Sequence, residues 1–361
     1  MKGSRPNIKG SQAKIMMALI VFWLFFSRFP EPTKKSSHFT TKYIPSRLEH
    51  KMMQAAESEL GYNRDAWVDG CTLYRNQSGI EFYNLYQGYV SKLEKYTESV
   101  KKFRTEVKDI RLLPKKKREK LCQKMDKVLY SAFRPKHDCS LTDAGYVEPL
   151  LPPLRHPHMC ASEKKKKKRA FMSLDYLVHD FGKICRQLEP GARTVFFDLG
   201  ASLVFHGYMV SPAMTLVKLF NQFGIKFDHY YAFEYSVIDP KLVYGKIPEE
   251  LMQAYHWYNV PVEASPTSKQ NPWKTLLSKY NASDFVVIKL DIDTASLELP
   301  LTHELLQDKY SPLVDQFYFE HHVKLHNLRP NWKNKASGTI KYSLDLFTSL
   351  RKVGIASHSW V

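Results

Sequence analysis

Thr194-Val-Phe-Phe-Asp198-Leu-Gly-Ala-Ser202 is the stretch on which the fold turns. Its first half is an apolar run of strand length, and the run stops abruptly at an acid and a glycine. About 90 residues later the same form returns in Phe285-Val-Val-Ile-Lys-Leu-Asp291-Ile-Asp293. Apolar strands that end in carboxylates point to an open α/β sheet, where ligands bind beyond the carboxyl ends of the strands. The C-terminal half therefore reads as an enzyme core.

Strand-like and helix-like segments alternate on either side of this pair. A helix over about 174–188 ends near Pro190-Gly191. Strands are expected at 194–199, 229–234, 259–263, 284–290, 314–320 and 354–361. Helices are expected between them at about 211–223, 248–257, 272–280, 296–308 and 341–352. This alternation predicts a doubly wound, mostly parallel sheet with helices on both faces.

The preceding half has a different character. Residues 1–170 carry 35 Lys and Arg against 17 Asp and Glu, whereas the rest is balanced at 19 of each, so the formal charge of +18 sits entirely in the first half. Lys115-Lys116-Lys117-Arg118 and Lys164 through Arg169 contribute much of it, in surroundings that read as loops. Such runs suit a solvated linker, a nuclear address signal, an anionic glycan or lipid, or nucleic acid, and no nucleic-acid fold motif accompanies them. Leu93, Tyr96, Val100, Phe103, Val107 and Ile110 alternate spacings of three and four, which predicts an amphipathic helix over about 90–113 ending at Pro114. Four prolines between Val147 and Pro157 then mark an extended connector.

At the N-terminus, four basic residues precede the twelve apolar residues Ile15 through Phe26. A helix of that length reaches about 18 Å, short of a bilayer core of about 30 Å, and suits an uncleaved signal anchor. The basic flank would leave the N-terminus cytosolic and the body in the lumen of the endoplasmic reticulum or Golgi, as a single-pass membrane protein. The sequons Asn76-Gln-Ser and Asn281-Ala-Ser fit that compartment. So do Cys71, Cys122, Cys139, Cys160 and Cys185, which have no CxxC or His spacing for zinc and allow one or two disulfides of undetermined connectivity. The domain organisation expected is a basic N-terminus and anchor (1–30), a polar stem (31–50), a mainly helical basic accessory region (51–146), a linker rich in Pro and Lys (147–171) and the α/β domain (172–361).

Within residues 172–361, four motifs fall in order at expected strand ends: Asp198-Leu-Gly-Ala, Ala232-Phe-Glu234, Ile288-Lys-Leu-Asp291-Ile-Asp293, and Phe319-Glu320-His321-His322. This order resembles class I S-adenosylmethionine-dependent methyltransferases, and among them the FkbM-type O-methyltransferases. The resemblance implies a Rossmann-like, seven-stranded sheet, S-adenosylmethionine as cofactor and methyl transfer to a hydroxyl. It further implies Asp198, Gly200 and Ala201 at the methionine end of the cofactor, Glu234 on the ribose diol and Asp291 facing the transferred methyl. The chemistry agrees: a close backbone turn calls for Gly200, and a diol calls for a strand-end carboxylate. The loop Gly200-Ala-Ser-Leu-Val-Phe-His206-Gly207 lacks the second close glycine of a G-x-G turn, and Asp198 and Glu234 are 36 residues apart, which demands a long connection.

Deprotonation of an acceptor hydroxyl needs a base, for which Asp291, His322 and His206 are candidates, with Glu320 placed to orient His322. Of His321 and His322, alternation along a strand end lets only one face the cleft. A strand-end acid can equally cap the helix that follows it. With the lumenal placement, the acceptor expected is a sugar hydroxyl of a glycan. Two other readings stay open. Asp291-Ile-Asp293 is also a DxD pattern that would hold a divalent ion against a nucleotide diphosphate in a glycosyltransferase. Alternatively, a methyltransferase fold without activity would serve as a binding module.

Overall fold

Two sheets organise the chain in the computed structural model, which describes residues 41–58, 67–71, 80–102, 107–122, 130–135, 145–151, 173–202, 211–326, 328–332 and 335–360. The smaller is antiparallel, in the order β1 (Thr41–Ile44), β2 (Ser131–Pro135), β3 (Gly145–Val147). The larger has six strands: β4 (Thr194–Leu199), β5 (His229–Phe233), β6 (Tyr255–Tyr258), β7 (Phe285–Leu290), β8 (Gln316–Phe319) and β9 (Ala356–Ser359). They lie in the order β6-β5-β4-β7-β8-β9, and every pair is parallel. Every residue of β4 and β7 is buried, as expected of central strands covered on both faces.

The α/β class with a parallel sheet agrees with the sequence, but the sheet has six strands where seven were expected, and no antiparallel strand completes it among the described residues. The chain after β8 rises through the Ile340–Lys352 helix and returns as β9, parallel to β8. Strand β6 starts four residues earlier than expected and replaces the end of the helix expected at 248–257, which shrinks to a 3-10 turn over Glu249–Leu251. Tyr255-His-Trp-Tyr258 is aromatic and pairs with the edge of β5, while Pro261 has no N–H to extend a ladder. The helix expected over 174–188 shortens to Phe181–Gln187 because Val147 bridges His179 and the Asp180 side chain caps Lys183 N–H. Ser211-Pro212, Asp239-Pro240 and Asn271-Pro272 start later helices in the same way, an oxygen capping and a proline at the first turn.

Among its described residues the accessory region is mainly helical, with two short strands of the small sheet added. Helices Arg47–Ser58 and Ile80–Lys102 pack on each other, and Glu49 of the first accepts from Ser131 Oγ of β2 at 2.7 Å. The amphipathic helix thus begins ten residues earlier than expected, and Ile110–Leu112 forms a 3-10 turn capped by Asp109. Lys115-Lys116-Lys117-Arg118 is helical, within Lys115–Cys122, and not a loop; Arg118 is buried with its guanidinium on Glu189 at 3.0 Å. The run Lys164 through Arg169 and the apolar segment 15–26 lie outside the described residues, among which no helix is long and apolar enough to cross a membrane.

This region shares one hydrophobic cluster with the large sheet. Its polar seam is Arg351, fully buried, whose Nη1 donates to Tyr43 Oη (2.8 Å) and to the Glu148 carbonyl (2.8 Å). The Glu148 carboxylate also lies 2.8 Å from His358 Nδ1 on β9. A disulfide between Cys122 and Cys185 fastens the region to the helix preceding β4, and Cys71 is disulfide-bonded as well.

Candidate active site

Strand register builds the site. Leu199, the last residue of β4, pairs with Phe233 of β5 and Leu290 of β7, and Leu290 pairs with Phe319 of β8. The next residue on each strand is Gly200, Glu234, Asp291 and Glu320, so four of the residues singled out in the sequence stand in one row across the carboxyl edge, about 4.8 Å per strand. The strand order reverses between β4 and β7, where open sheets form their crevice. A cavity of about 580 Å³ opens there, with Gly200, Ser202, Glu234, Tyr235, Asp291 and Asp293 in its lining and Val260 to Val262 forming an apolar wall.

Gly200 is required by its neighbours. Its φ is +84°, and a β-carbon on it would lie 1.8 Å from the Asp291 carbonyl oxygen. The turn is tied down on both sides: the N–H groups of Gly200 and Ala201 both donate to the Phe233 carbonyl, and Asp291 N–H donates to the Leu199 carbonyl. Ala201 is buried behind the turn and Ser202 lines the cavity. The segment 203–210, with His206, lies outside the described residues.

Glu234 is half-buried in the cavity wall, where its Oε1 accepts from Ser236 N–H at 2.7 Å and its carbonyl accepts from Asn259 Nδ2 at 2.8 Å. Asp198, by contrast, does not line the cavity. It is 3 % exposed, accepts from Tyr230 Oη at 2.5 Å and pairs with Lys289 at 3.1 Å. Its side chain lies on the strand below the turn, paired with Lys289 and outside the cavity lining.

Lys289 was not singled out as a site residue from the sequence. The signal was present: a lysine in the middle of an otherwise apolar, wholly buried strand requires partners. Its ammonium contacts Asp198 Oδ1 (3.1 Å) and Asp291 Oδ2 (3.3 Å) and donates to the Gly200 carbonyl (2.7 Å). Burial would pull this ammonium down, but the two aspartates outweigh it and hold it above the ordinary lysine value.

Asp291 faces the cavity with 10 % of its side chain exposed. Burial pushes its carboxyl up to about 8; Lys289 opposes the rise, while Glu320, Glu298 and Asp293 add to it. Glu298 carried no signal in its spacing and is placed only by the fold. It is buried in the first turn of the Ala295–Glu304 helix, accepts from Ile292 N–H at 2.9 Å and is itself pushed by burial up to about 7.

Beyond Asp291 the chain turns at Asp293, whose φ of 58° is the one positive value outside glycine among the described residues. Its carboxylate pairs with Lys335 at 2.7 Å and lies 3.6 Å from His322 Nε2. The expected pairing of Glu320 with His322 is present: Oε2 and Nε2 are 2.9 Å apart, the imidazole stacks on Trp332, and Trp332 Nε1 donates to Glu320 at 3.3 Å. Burial would lower His322, yet Glu320 outweighs it and holds the imidazole above its ordinary value. His321 points elsewhere, stacked on Phe319, and burial drives it down to about 3.

Two sets of groups could hold ligands. Gly200, Glu234 and Asp291 offer a turn, a diol acceptor and a carboxylate around one cavity. Asp293, Glu320 and His322 each direct one donor atom to within 4.8 Å of the others, which is the grouping able to take a cation. Of the DxD pair, Asp291 lies 3.3 Å from Lys289 and Asp293 2.7 Å from Lys335, and both line the cavity. No protein-family model, curated protein or solved structure matches the chain.

Proposed function

We propose that this protein is an S-adenosylmethionine-dependent O-methyltransferase acting on a hydroxyl, with a glycan sugar as the acceptor class. The observation that carries the reading is the convergence of Gly200, Glu234 and Asp291 on one cavity of about 580 Å³ where the strand order reverses. A cavity of that size holds a nucleoside with an amino-acid tail. Bound S-adenosylmethionine would supply an electrophilic methyl on a cationic sulfur. Glu234 would accept both ribose hydroxyls, Val260 and Val262 would pack on the adenine, and the tight turn at Gly200 would let the backbone approach the tail.

Asp291 has the chemistry of the base. Its raised pKa brings it near working pH, where a carboxylate takes a proton most effectively. Asp291 would take the proton of the acceptor hydroxyl as its oxygen receives the methyl that bound S-adenosylmethionine would supply, leaving the neutral thioether. Alignment of oxygen, methyl and sulfur supplies most of the acceleration. Glu320 and His322 lie behind Asp293, and we assign them to shaping the field at Asp291.

The lumenal placement behind a single-pass anchor at 15–26 is part of the same proposal. Its supports are the Cys122–Cys185 disulfide, which persists in oxidising compartments, and the exposed sequon Asn281. A metal-dependent glycosyltransferase is the second reading, favoured by the Asp293, Glu320 and His322 grouping. Calorimetry of the full chain separates the two. Binding of S-adenosylmethionine without added metal is expected, and binding only of a nucleotide sugar with a divalent ion would replace the first reading by the second.

A further inference from the structure

We infer that Asn259 is a positioning residue, which holds the cavity wall that carries Glu234 in the shape that reads a ribose diol. The ligand is taken from the methyl-transfer reading, on which this inference rests; the geometry comes from the fold alone.

The ladder between β5 and β6 ends where Glu234 N–H donates to the Tyr258 carbonyl at 3.1 Å. Asn259, the next residue along, carries on from that rung with its side chain. Its Nδ2 donates to the carbonyls of Glu234 at 2.8 Å and of Ser236 at 2.7 Å, and its Oδ1 accepts from Ile238 N–H at 3.1 Å. A carbonyl only accepts and an N–H only donates, so these partners also fix which way the amide lies. One side chain thus ties down residues 234, 236 and 238 of the loop that follows β5.

Burial does little to shape that loop. Tyr235 is 77 % exposed, Val237 is 94 % exposed and Ser236 lies exposed between them. Packing resumes only at Ile238, just before Asp239 caps the next helix. The conformation of 234–237 is therefore set by hydrogen bonds, and Asn259 supplies those that cross to the loop from outside it. Glu234, Tyr235 and Ser236 all line the cavity, whereas Asn259 stays behind them. Ser236, held through its carbonyl by Asn259, donates its N–H to Glu234 Oε1 at 2.7 Å and so orients the carboxylate. A carboxylate engaged by one N–H keeps acceptor sites for two hydroxyls. Hydroxyls on adjacent carbons are the ligand chemistry that a carboxylate held in this way selects.

Two variants of the full chain test this without an acceptor substrate. Asn259→Ala removes every contact of the amide. Asn259→Asp keeps the size of the side chain and its acceptor but has no donor for the two carbonyls. In both, the Ser236 amide should exchange with water at least about fivefold faster than in the wild type by NMR, while the amides of β7 keep their rates. The wild type should bind S-adenosylmethionine at least about tenfold more tightly than its 2′-deoxyribose analogue, the size of one hydroxyl on a carboxylate. Both variants should lose that preference by weakening on the ribose compound, with affinity for the analogue nearly unchanged. A merely structural role would weaken the two compounds alike, and that result overturns the proposal, as does an unchanged Ser236 exchange rate in either folded variant. Should Asn259→Ala fold poorly, Asn259→Asp carries both measurements. Failure of the wild type to bind either compound sinks the cofactor reading, and the Ser236 exchange rate then decides by itself whether Asn259 holds the loop.

Discussion

The carbonyl oxygen of Asp291 lies 1.8 Å from where a β-carbon on Gly200 would stand, so the turn after β4 and the acid after β7 are parts of one contact. Gly200→Ala must push these two backbones apart in addition to straining φ at +84°. We expect a loss of about 3 kcal/mol or more in urea unfolding, together with loss of S-adenosylmethionine binding. Gly88, on the exposed side of the Ile80–Lys102 helix with nothing near its β-carbon position, is the control. Gly88→Ala should leave binding intact and stabilise by about 0.5 to 1 kcal/mol. Equal effects of the two substitutions would mean that the contact at Gly200 is not required.

Glu234 is a strand-end acid whose carboxylate lines the cavity and makes one local hydrogen bond, to Ser236 N–H. Glu234→Ala should therefore leave the melting temperature nearly unchanged. S-adenosylmethionine affinity should fall at least about tenfold, roughly 1.4 kcal/mol of lost diol contact. Unchanged affinity in calorimetry removes Glu234 from the site.

Asp291 makes stability depend on pH. Its carboxyl is raised from 3.8 to about 8 by burial, and that of Glu298 from 4.5 to about 7. Between those limits the folded chain binds more protons than the unfolded one, so stability present at low pH is lost as pH rises through the folded values. The melting temperature should fall from pH 6 to pH 8, and Asp291→Asn should flatten the fall by about 2 °C or more while abolishing methyl transfer. The cationic cofactor acts in the opposite sense, since a positive charge beside Asp291 favours its ionised form. Binding at pH 7 should then release close to one proton, read from calorimetry in two buffers of different ionisation enthalpy. A melting temperature indifferent to pH in both forms would show that Asp291 ionises as an ordinary carboxylate.

Glu148 works against this trend at the acid end. Burial alone would raise it, but His358 and Arg351 outweigh burial and leave it below 4.5. Stability from this seam is present above the ordinary carboxylate value and is lost as pH falls through the folded one. Glu148→Gln should cost about 3 kcal/mol or more at pH 7, because Arg351 would remain buried with a weakened partner set, and the penalty should shrink toward pH 3. Urea unfolding at the two pH values checks this, and a penalty independent of pH would rule out ionised Glu148 as its source.

The Cys122–Cys185 disulfide spans 63 residues of sequence. By loop-closure entropy a link of that span stabilises by about 4 kcal/mol. Replacing both cysteines with serine should lower the urea midpoint accordingly, and the Cys122–Cys185 peptide pair should appear by mass spectrometry of non-reduced protein. Free thiols at both positions in protein from the secretory pathway would remove this support for a lumenal placement.

Much of this arrangement was legible in the chain itself. The apolar runs before Asp198, Glu234 and Asp291, each stopped by an acid, marked β4, β5 and β7 and the edge at which they end, because strand burial and strand termination are written in consecutive residues. Helix starts at Ser211-Pro212 and Asn271-Pro272 were local in the same sense. Tertiary structure alone decided which acid reaches the cavity. Asp198 and Asp291 look alike as strand-end carboxylates, but the first lies within its strand and is neutralised by Lys289, while the second follows its strand and opens to the crevice. The sheet's six strands, the early start of β6 and the burial of Glu298 were settled by pairing and packing among residues far apart in sequence. Local pattern shows where a strand stops; the register of its neighbours and the charges buried beneath it determine what the next residue meets.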